Sequence, residues 1–247
     1  MKFAVISDIH SNLEALADVL NHIDSSSPDR IICCGDVVGY GPQPAECVSL
    51  LESVKGITMT EGNHDAAVTG NMGTRNFNDF ARTAVKINKS LLGPAEKFFL
   101  KDIPETHTER GLLFVHASPR DHLSEYLDTV QKMKENAAVM TSDICFVGHT
   151  HFPMVFSVSK HGGVGTAERV PNNGIFMLRP DKNRYIINVG SVGQPRDGDA
   201  RSSFVYFDDE ANSVTYIRLK YDVASVQKKM RDAGLPELLI TRLALGR

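Results

Sequence analysis

Five short polar segments of this 247-residue sequence carry aspartate, histidine or asparagine, and each follows a run of apolar residues. The segments are Asp8-Ile9-His10, Gly35-Asp36, Gly62-Asn63-His64-Asp65, Val115-His116 and Gly148-His149-Thr150-His151. Loops between core elements ordinarily favour serine, glycine, asparagine and proline. Because ligands of open α/β sheets bind at the carboxyl ends of the strands, the five segments predict one convergent site.

The residue types in these segments are those that bind divalent metal ions. Carboxylates and imidazoles suit Mn, Fe, Zn or Ni, and the lack of clustered thiolates disfavours Cu(I) and iron–sulfur clusters. A single ion needs three or four protein ligands, whereas the segments offer at least seven. Two ions about 3.5–4 Å apart that share a bridging carboxylate would use them all. Such a pair activates a water and holds both oxygens of an in-line displacement, which is the chemistry of phosphate-ester hydrolysis.

Each segment taken alone also has a purely structural interpretation. Asp8-Ile9-His10 is compatible with a loop that enters a helix, Gly35-Asp36 with an ordinary strand-to-turn junction, and the segment at 62–65 with an Asx-turn. His149 and His151 are different, because alternate residues of an extended segment lie on the same side. The five segments together favour the metal site.

The chain between the segments alternates apolar strands with amphipathic helices. The predicted elements are strands at 2–7, 30–34, 57–60, 112–116 and 144–147, helices at 13–23, 45–54 and 130–140, and a helical region at 75–101 broken by Gly93-Pro94. Ser11 and Glu14 form a capping-box pattern before the first helix. Residues 152–221 are β-rich, with a hairpin of strands 203–207 and 213–219, and residues 222–245 are predicted C-terminal helices. This order predicts one α/β domain over residues 1–247, in which helices cover the outer faces of two sheets.

The composition excludes several classes of partner. The formal net charge is −3 and no long run of one charge occurs, so we expect no bulk binding to nucleic acid or anionic membranes.

No apolar stretch reaches the roughly 18–20 residues of a membrane span, and the short apolar start lacks the features of a secretory signal. The four cysteines show no CxxC spacing, which indicates buried free thiols. A cytoplasmic location is therefore expected.

The five segments, in this order, resemble the motifs of the calcineurin-like metallophosphoesterase superfamily. The resemblance covers residues 2–151 and continues more weakly into residues 188–196. That stretch and the turn Gly39-Tyr40-Gly41-Pro42 are similar to the small bacterial and archaeal phosphodiesterase-type members. The resemblance implies a four-layer αββα sandwich of two mixed β-sheets flanked by helices, with a dinuclear metal centre.

The resemblance also implies a role for each site residue. The first ion would be bound by Asp8, His10 and His151, the second by Asn63, His116 and His149, and Asp36 would bridge the two. His64 would contact the substrate, together with Asn63, and protonate the leaving oxygen after in-line attack by the bridging hydroxide. A liganded imidazole cannot donate a proton, so one motif histidine must stay off the metals.

The sequence departs from the protein Ser/Thr phosphatase branch of the superfamily. That branch carries an Asp-Arg pair soon after the bridging aspartate, whereas Val37-Val38-Gly39-Tyr40 follows Asp36 here. The missing arginine removes a phosphate clamp, and the missing aspartate removes the expected partner of the acid histidine. Arg196 is a candidate replacement for the clamp, with an ordinary surface arginine as the alternative. Tyr40 and the region 75–101 are candidates for a cap over the metals or for packing.

The function predicted from these observations is hydrolysis of a small phosphodiester or nucleotide-type phosphate ester. The alternatives are a phosphomonoesterase or protein phosphatase, and a non-catalytic scaffold built on the same fold. Intact ligand positions and an intact His64 favour the enzyme. Metal identity among Mn, Fe, Zn and Ni stays open, and the sequence makes no prediction of oligomeric state.

Overall fold

The computed structural model describes residues 1–169 and 173–247. Across these residues, two six-stranded sheets are flanked by eight helices. The strands are β1 (Lys2–Ile6), β2 (Arg30–Cys33), β3 (Ile57–Met59), β4 (Thr106–Glu109), β5 (Leu112–Val115), β6 (Ile144–Val147), β7 (Met154–Ser159), β8 (Thr166–Arg169), β9 (Ile175–Met177), β10 (Asn183–Asn188), β11 (Ser202–Asp208) and β12 (Ser213–Leu219). The helices are α1 (Leu13–Ser26), α2 (Pro44–Ser53), α3 (Asn63–Thr69), α4 (Asp79–Leu91), α5 (Pro94–Lys101), α6 (Val130–Val139), α7 (Val223–Asp232) and α8 (Glu237–Leu243).

Both sheets are mixed, and each has a parallel half and an antiparallel half. The first has the order β3-β2-β1-β11-β12-β9, in which β1, β2 and β3 are parallel. The second has the order β4-β5-β6-β10-β7-β8, in which β5, β6 and β10 are parallel. The predicted hairpin is confirmed, since β11 pairs antiparallel with β12 from Ser202↔Leu219 to Asp208↔Ser213. Parallel strands end at the same edge, so the loops that follow them are brought together.

The four-layer αββα sandwich is confirmed by the packing of the core. One apolar cluster lies between the sheets, where Phe114 of the second sheet packs against Phe3 of the first at a ring-centroid distance of 6.2 Å. Aromatic pairs of this kind contribute about 0.5–1.5 kcal/mol beyond the burial of their area. A second cluster joins α1 and α2 to the outer face of the first sheet. A third joins Met133 and Ala137 of α6 to the outer face of the second sheet.

The predicted start of the first helix is wrong in one respect. The N-cap is Asn12, whose side-chain oxygen accepts a hydrogen bond from the Ala15 amide at 3.1 Å. Ser11 does not cap the helix, because its φ of 54° turns its hydroxyl toward the Asn88 side chain on α4. The predicted helical region 75–101 starts too early, because α4 begins only at Asp79 after its N-cap Asn78. The remainder forms α4 and α5, which are separated at Gly93 as expected.

The C-terminal helices predicted beyond residue 222 are α7 and α8. They pack with Ala81 and Ala84 of α4 in a cluster that also contains Tyr40. Within residues 1–169 and 173–247, none of the helices combines the length and apolar character that a membrane crossing requires.

Candidate active site

The loops after β1, β2, β5 and β6 and the start of α3 meet at one edge of the sandwich. They carry the eight side chains predicted to bind metal or protonate the leaving group, and none of these is more than 7% exposed: Asp8, His10, Asp36, Asn63, His64, His116, His149 and His151. Burying so many polar groups is costly unless they have partners. The parallel halves of the two sheets therefore bring an unusual number of buried polar side chains to one edge of the sandwich.

Three overlapping groups of these side chains have ligand atoms within 4.8 Å of one another. The groups are Asp8 with His10 and His151, His10 with Asp36 and His64, and Asp36 with His116 and His149. Asp36 belongs to two of them. One of its oxygens lies 3.6 Å from Nε2 of His10 and 3.4 Å from Nε2 of His116. A single carboxylate is thus placed between two sets of imidazoles.

Main-chain carbonyls determine which nitrogen of three histidines carries the hydrogen. Nδ1 of each ring donates its hydrogen to a carbonyl oxygen, which can only accept. In the neutral ring, Nε2 then has a free lone pair and can act as a ligand or an acceptor. The three bonds are His10 to Val38 at 3.1 Å, His116 to Cys34 at 2.9 Å and His151 to Gln194 at 2.5 Å. Outer partners of this kind are typical of metal-binding histidines, because they orient the ring and raise its basicity.

The unprotonated nitrogens of His10 and His151 face each other at 3.1 Å. Neither can donate to the other while its Nδ1 holds the hydrogen. The carboxylate of Asp8 lies 3.1 Å from Nε2 of His151, so three acceptors converge. Converging acceptors repel one another unless a cation or a proton lies between them. This observation shows that the donor set fits a divalent cation.

A second group of acceptors surrounds His116. Its Nε2 lies 3.0 Å from Oδ1 of Asn63 and 3.1 Å from Nδ1 of His149. Nε2 of His149 is buried without a hydrogen-bond partner in the part of the chain that the structure describes. An unpaired buried nitrogen beside other acceptors again suits a cation.

The carboxylates in the site are held in the charged form. Burial raises the pKa of Asp36, but the neighbouring His116 and His64 outweigh burial and hold that pKa well below its ordinary value. Burial likewise raises the pKa of Asp8, but the neighbouring His151 outweighs burial, so the pKa of Asp8 is lowered. The charge of Asp36 in turn outweighs burial at His116 and raises the pKa of that imidazole to about 9. A divalent ion bound at the site would take the place of this proton, because metal-binding imidazoles are deprotonated.

Backbone strain is concentrated in the ligand loops. Five of the predicted ligands lie in the left-handed region, with φ between 49° and 60°: Asp8, His10, Asp36, His149 and His151. A residue with a Cβ atom loses roughly 1–2 kcal/mol there. Cross-loop bonds maintain the conformation, among them those from the amides of Asp8 and His10 to the carbonyls of Gly35 and Asp36, both 3.0 Å. A cluster of such residues at one site is typical of functional geometry.

Two glycines allow the loops to approach closely. A Cβ atom on Gly62 would overlap the amide and carboxylate of Asp36, and one on Gly148 would overlap the side chains of Ser7 and Asp8. The space left free by Gly148 allows the Asp8 carboxylate to accept a bond from the His149 amide at 3.0 Å. The glycines of the sequence motifs are therefore sterically required.

No hydrogen bond to the His64 side chain occurs in the described residues, since Nδ1 of the ring is buried without a partner. The ring is held by packing, at centroid distances of 4.5 Å from Tyr40 and 5.0 Å from Phe77. Gly39, at φ 102°, leaves room for the imidazole. Burial lowers the pKa of His64 to about 4, against the opposing charge of Asp36.

Asp65 stabilises the loop geometry around the site. Its carboxylate accepts bonds from the amides of Val37, Val38 and Gly62, at 3.2, 3.0 and 3.1 Å. It thereby caps α3 and fixes the loop that carries Asp36. The last residue of the Gly62–Asp65 motif therefore stabilises the backbone conformation of the site.

The predicted substrate contacts Tyr40 and Arg196 lie beside the metal-ligand groups. The Arg196 guanidinium carbon is 5.5 Å from the Tyr40 ring centroid, and Tyr40 is 4.7 Å from the His10 ring. Arg196 is half-buried rather than freely exposed. A cleft of about 140 Å³ opens next to them, lined among others by Tyr40, Asn63, His64, Phe77 and His149. Phe77 comes from the region 75–101, which therefore contributes to the cleft.

Several residues that position the site were missed by the sequence analysis. Asn88 on α4 is fully buried and binds the loops of both Ser11 and Gly39. A signal existed, because Asn88 shares a helix face with Ala81 and Ala84, where a polar residue is unexpected. Gln194 supplies the carbonyl for His151, and Tyr126 places its ring 4.1 Å from the His149 ring. Gln194 lies in the stretch 188–196, but the sequence analysis gave it no role, and Tyr126 belongs to no motif.

Residues 188–196, where the family resemblance is weaker, hold the loops of the predicted metal ligands in place. Asn188 donates to the Gly148 carbonyl at 2.5 Å, and the Ser191 hydroxyl donates to the Asp8 carbonyl at 2.8 Å. Both side chains are buried. Their polar atoms are used to hold the loops of the two sheets together.

Comparisons with known proteins agree with this geometry. Residues 1–212 match the model of the calcineurin-like phosphoesterase superfamily domain. An uncharacterized protein of Methanocaldococcus jannaschii is 38% identical over 251 residues, covering 99% of this chain and 98% of that protein. The crystal structure of a metallophosphoesterase from Sphaerobacter thermophilus is 37% identical, with a TM-score of 0.86 over 100% of this chain and 99% of that one. A hypothetical protein of Pyrococcus horikoshii shares the fold at 17% identity, with a TM-score of 0.78 over 100% and 98% of the two chains.

The matched residues include all five polar segments, and the matched structure covers the whole sandwich. Family, fold and buried ligand groups therefore point to the same chemistry. The chain belongs to the calcineurin-like phosphoesterase superfamily and is a hydrolase of phosphate esters.

Proposed function

We propose that the protein is a dinuclear metal-dependent phosphodiesterase that acts on a small phosphodiester or nucleotide-type ester. The observation that carries this proposal is the position of Asp36, whose carboxylate lies between His10 and His116. One shared carboxylate between two ligand groups suits two ions rather than one. A phosphomonoesterase is the second candidate.

The proposed ligand assignment follows the two groups around Asp36. The first ion would be held by Asp8, His10 and His151, the second by Asn63, His116 and His149, with Asp36 shared. This nitrogen and oxygen donor set suits Mn, Fe, Zn or Ni. When bound, the ions supply an activated water and positive charge for the phosphate oxygens.

The chain's own part in the proposed reaction is to orient the ester and deliver a proton. His64 lies beside the ligand groups but has no hydrogen bond to its ring among the described residues, so the ring is available to the substrate. An anionic phosphate next to the ring raises the pKa of His64 by the same electrostatic effect as Asp36 does. The protonated imidazole then donates to the leaving oxygen. Asn63 and Arg196 would orient the phosphate, and Tyr40 would close the side of the cleft.

The preference for a diester is inferred from the cationic groups near Asp36. Where the protein phosphatase branch has an arginine soon after the bridging aspartate, this chain has Tyr40, which packs on His10 and His64. A diester phosphate carries one negative charge, and a monoester carries up to two. A centre with fewer cationic side chains suits the less charged ester.

A cytoplasmic location is part of the proposal. All four cysteines are free and buried. Burial raises the pKa of Cys33, Cys34, Cys47 and Cys145 above the ordinary thiol value. Buried free thiols of this kind are typical of proteins from reducing compartments.

The proposed function is tested by hydrolysis of bis(4-nitrophenyl) phosphate and 4-nitrophenyl phosphate by the protein reconstituted with each of the four metals. We expect the diester to give the higher kcat/KM. A higher value for the monoester would establish the second candidate. Cleavage of neither ester with any metal would contradict both and favour the scaffold.

A further inference from the structure

The cleft beside the predicted metal ligands is lined partly by loops that carry none of the five polar segments. Asn63, His64 and His149 contribute to the lining. So do the loop before α4, with Asn76 and Phe77, and the loop before α6, with Ser124 and Tyr126. Because both sets of residues line one cleft, a group attached to an ester at the ligand groups can contact these two loops.

Tyr126 presents an aromatic ring to the cleft. The ring packs on that of His149 at a centroid distance of 4.1 Å, yet 46% of the residue remains exposed. Its two neighbours are anchored, since Glu125 accepts a hydrogen bond from the Asn136 side chain at 2.9 Å and Leu127 is buried in the apolar cluster of α6 and the second sheet. A ring that is held in place beforehand loses little conformational entropy when a ligand packs on it.

Phe77 is the second aromatic side chain that these loops contribute. Its ring is half-buried and lies 5.0 Å from the His64 ring. The next residue, Asn78, caps α4 by accepting a hydrogen bond from the Ala81 amide at 2.9 Å, which fixes the end of the loop. The cleft therefore has one aromatic ring beside His149 and another beside His64.

The lining of this cleft is polar and aromatic rather than charged. Among the described residues that line it, none is a lysine, arginine, aspartate or glutamate. A further phosphate or an acidic group would find no basic partner in this lining. Aromatic side chains pack on planar rings, and the Asn76 amide and the Ser124 hydroxyl can both donate and accept hydrogen bonds. The lining suits an uncharged planar ring with polar atoms at its edge, which is the chemistry of a nucleobase.

We propose that this cleft binds the base of a nucleoside that the phosphate ester carries, with the base packed on Tyr126 and Phe77. This inference rests on the proposed function and narrows its substrate class to esters of nucleosides. Tyr126 and Phe77 are specificity-determining residues, and the cleavage itself does not use them.

The test measures binding to the full chain reconstituted with Mn²⁺, by calorimetry, with two probes that cannot be hydrolysed. One is the phosphonate analogue of adenosine 5′-phosphate, in which a methylene group replaces the ester oxygen. The other is the same analogue of ribose 5-phosphate, which lacks the base. For Tyr126→Leu we expect about a ten-fold weaker affinity for the adenosine probe, and less than about a two-fold change for the ribose probe. Phe77→Leu should give the same pattern.

Two further variants serve as controls. Tyr126→Phe keeps the aromatic ring and should bind both probes as the wild type does. Phe98→Leu removes an exposed aromatic side chain of α5 that does not line the cleft, and it should change neither affinity. The metal content of each variant is measured by elemental analysis, because Tyr126 packs on His149.

Equal affinities of wild type and Tyr126→Leu for the adenosine probe would overturn the subsite, and so would an equal loss for the two probes. Benzylphosphonate distinguishes the source of the ring, since a loss confined to this probe would show that the cleft takes a simple aryl group instead of a nucleoside. Binding of these probes involves no cleavage. Base-dependent affinity without hydrolysis of either nitrophenyl ester would contradict the proposed function alone, and hydrolysis without base-dependent affinity would contradict the subsite alone.

Discussion

The Nε2 atoms of His10 and His151 face each other at 3.1 Å while both rings donate their Nδ1 hydrogens to main-chain carbonyls. The carboxylate of Asp8 completes the group at 3.1 Å from His151. An arrangement in which only acceptors meet is stable when a positive charge lies among them. The buried polarity of this edge is therefore explained by metal binding rather than by loop structure.

Asp36→Asn should release metal from both positions, because the neutral amide removes the shared charge between His10 and His116. We expect less than one ion per chain by elemental analysis, with hydrolysis lost in parallel. Asp143→Asn, a surface aspartate paired with Lys160, is the matched control and should keep full metal content. Retention of two ions by the Asp36 variant would show that this carboxylate does not bridge.

His64→Ala should retain its metal and lose turnover by about 10²–10⁴-fold, since the variant cannot protonate the leaving oxygen. The loss should be smaller for a nitrophenyl ester than for a phenyl ester, because nitrophenolate leaves without a proton. The comparison needs kcat for both esters in wild type and variant. An equal loss for the two esters would indicate that His64 only positions the substrate.

Asn88→Ala should destabilise the protein by roughly 2–4 kcal/mol. The variant leaves the Gly39 amide and Gly41 carbonyl without their partners, now 2.6 and 2.9 Å away, and each buried unpaired group costs about 1–3 kcal/mol. At about 2–4 °C per kcal/mol for a protein of this size, the Tm should fall by roughly 5–15 °C. Asn21→Ala, on an exposed face of α1, should leave the Tm almost unchanged. A Tm of Asn88→Ala equal to wild type would contradict the role given to this residue.

Glu125 should stabilise the loop of Tyr126 in a pH-dependent manner. Bonds from Arg120 and Ser118 lower the pKa of Glu125 to about 2 in the folded protein, against a value of 4.5 for an ordinary glutamate. Since the folded value is the lower one, the stabilisation is complete above about pH 5 and is lost as the pH falls toward 2. The contribution is about 1 kcal/mol after allowance for the partly exposed Arg120. Glu125→Gln should therefore lower the Tm at pH 7, and the difference from wild type should narrow below pH 4.5. A difference that does not change with pH would contradict the linkage.

The sequence predicted the long apolar elements and the convergence of the polar segments, because both depend on local patterns. It missed β8, whose four residues are all exposed at a sheet edge, and β4, which is a polar edge strand. It missed α3 because that helix begins at Asn63 within a motif of loop-forming residues. These elements are determined by tertiary contacts rather than by periodicity.

The predicted ligand positions are adjacent in the structure, but the residues that orient them lie far away in the chain. Asn88 and Gln194 act through bonds across the fold, and a pattern of neighbouring residues does not reveal such contacts. Positioning residues could therefore be identified only once the sheets and helices were assembled.

The central claim, a dinuclear metal centre that cleaves phosphate diesters, is tested most directly by elemental analysis of the reconstituted protein together with bis(4-nitrophenyl) phosphate hydrolysis on the same sample. We predict two ions per chain, and diester cleavage that rises with metal content until both positions are filled. Fewer than one ion per chain after reconstitution, with no cleavage of diester or monoester, would contradict the account.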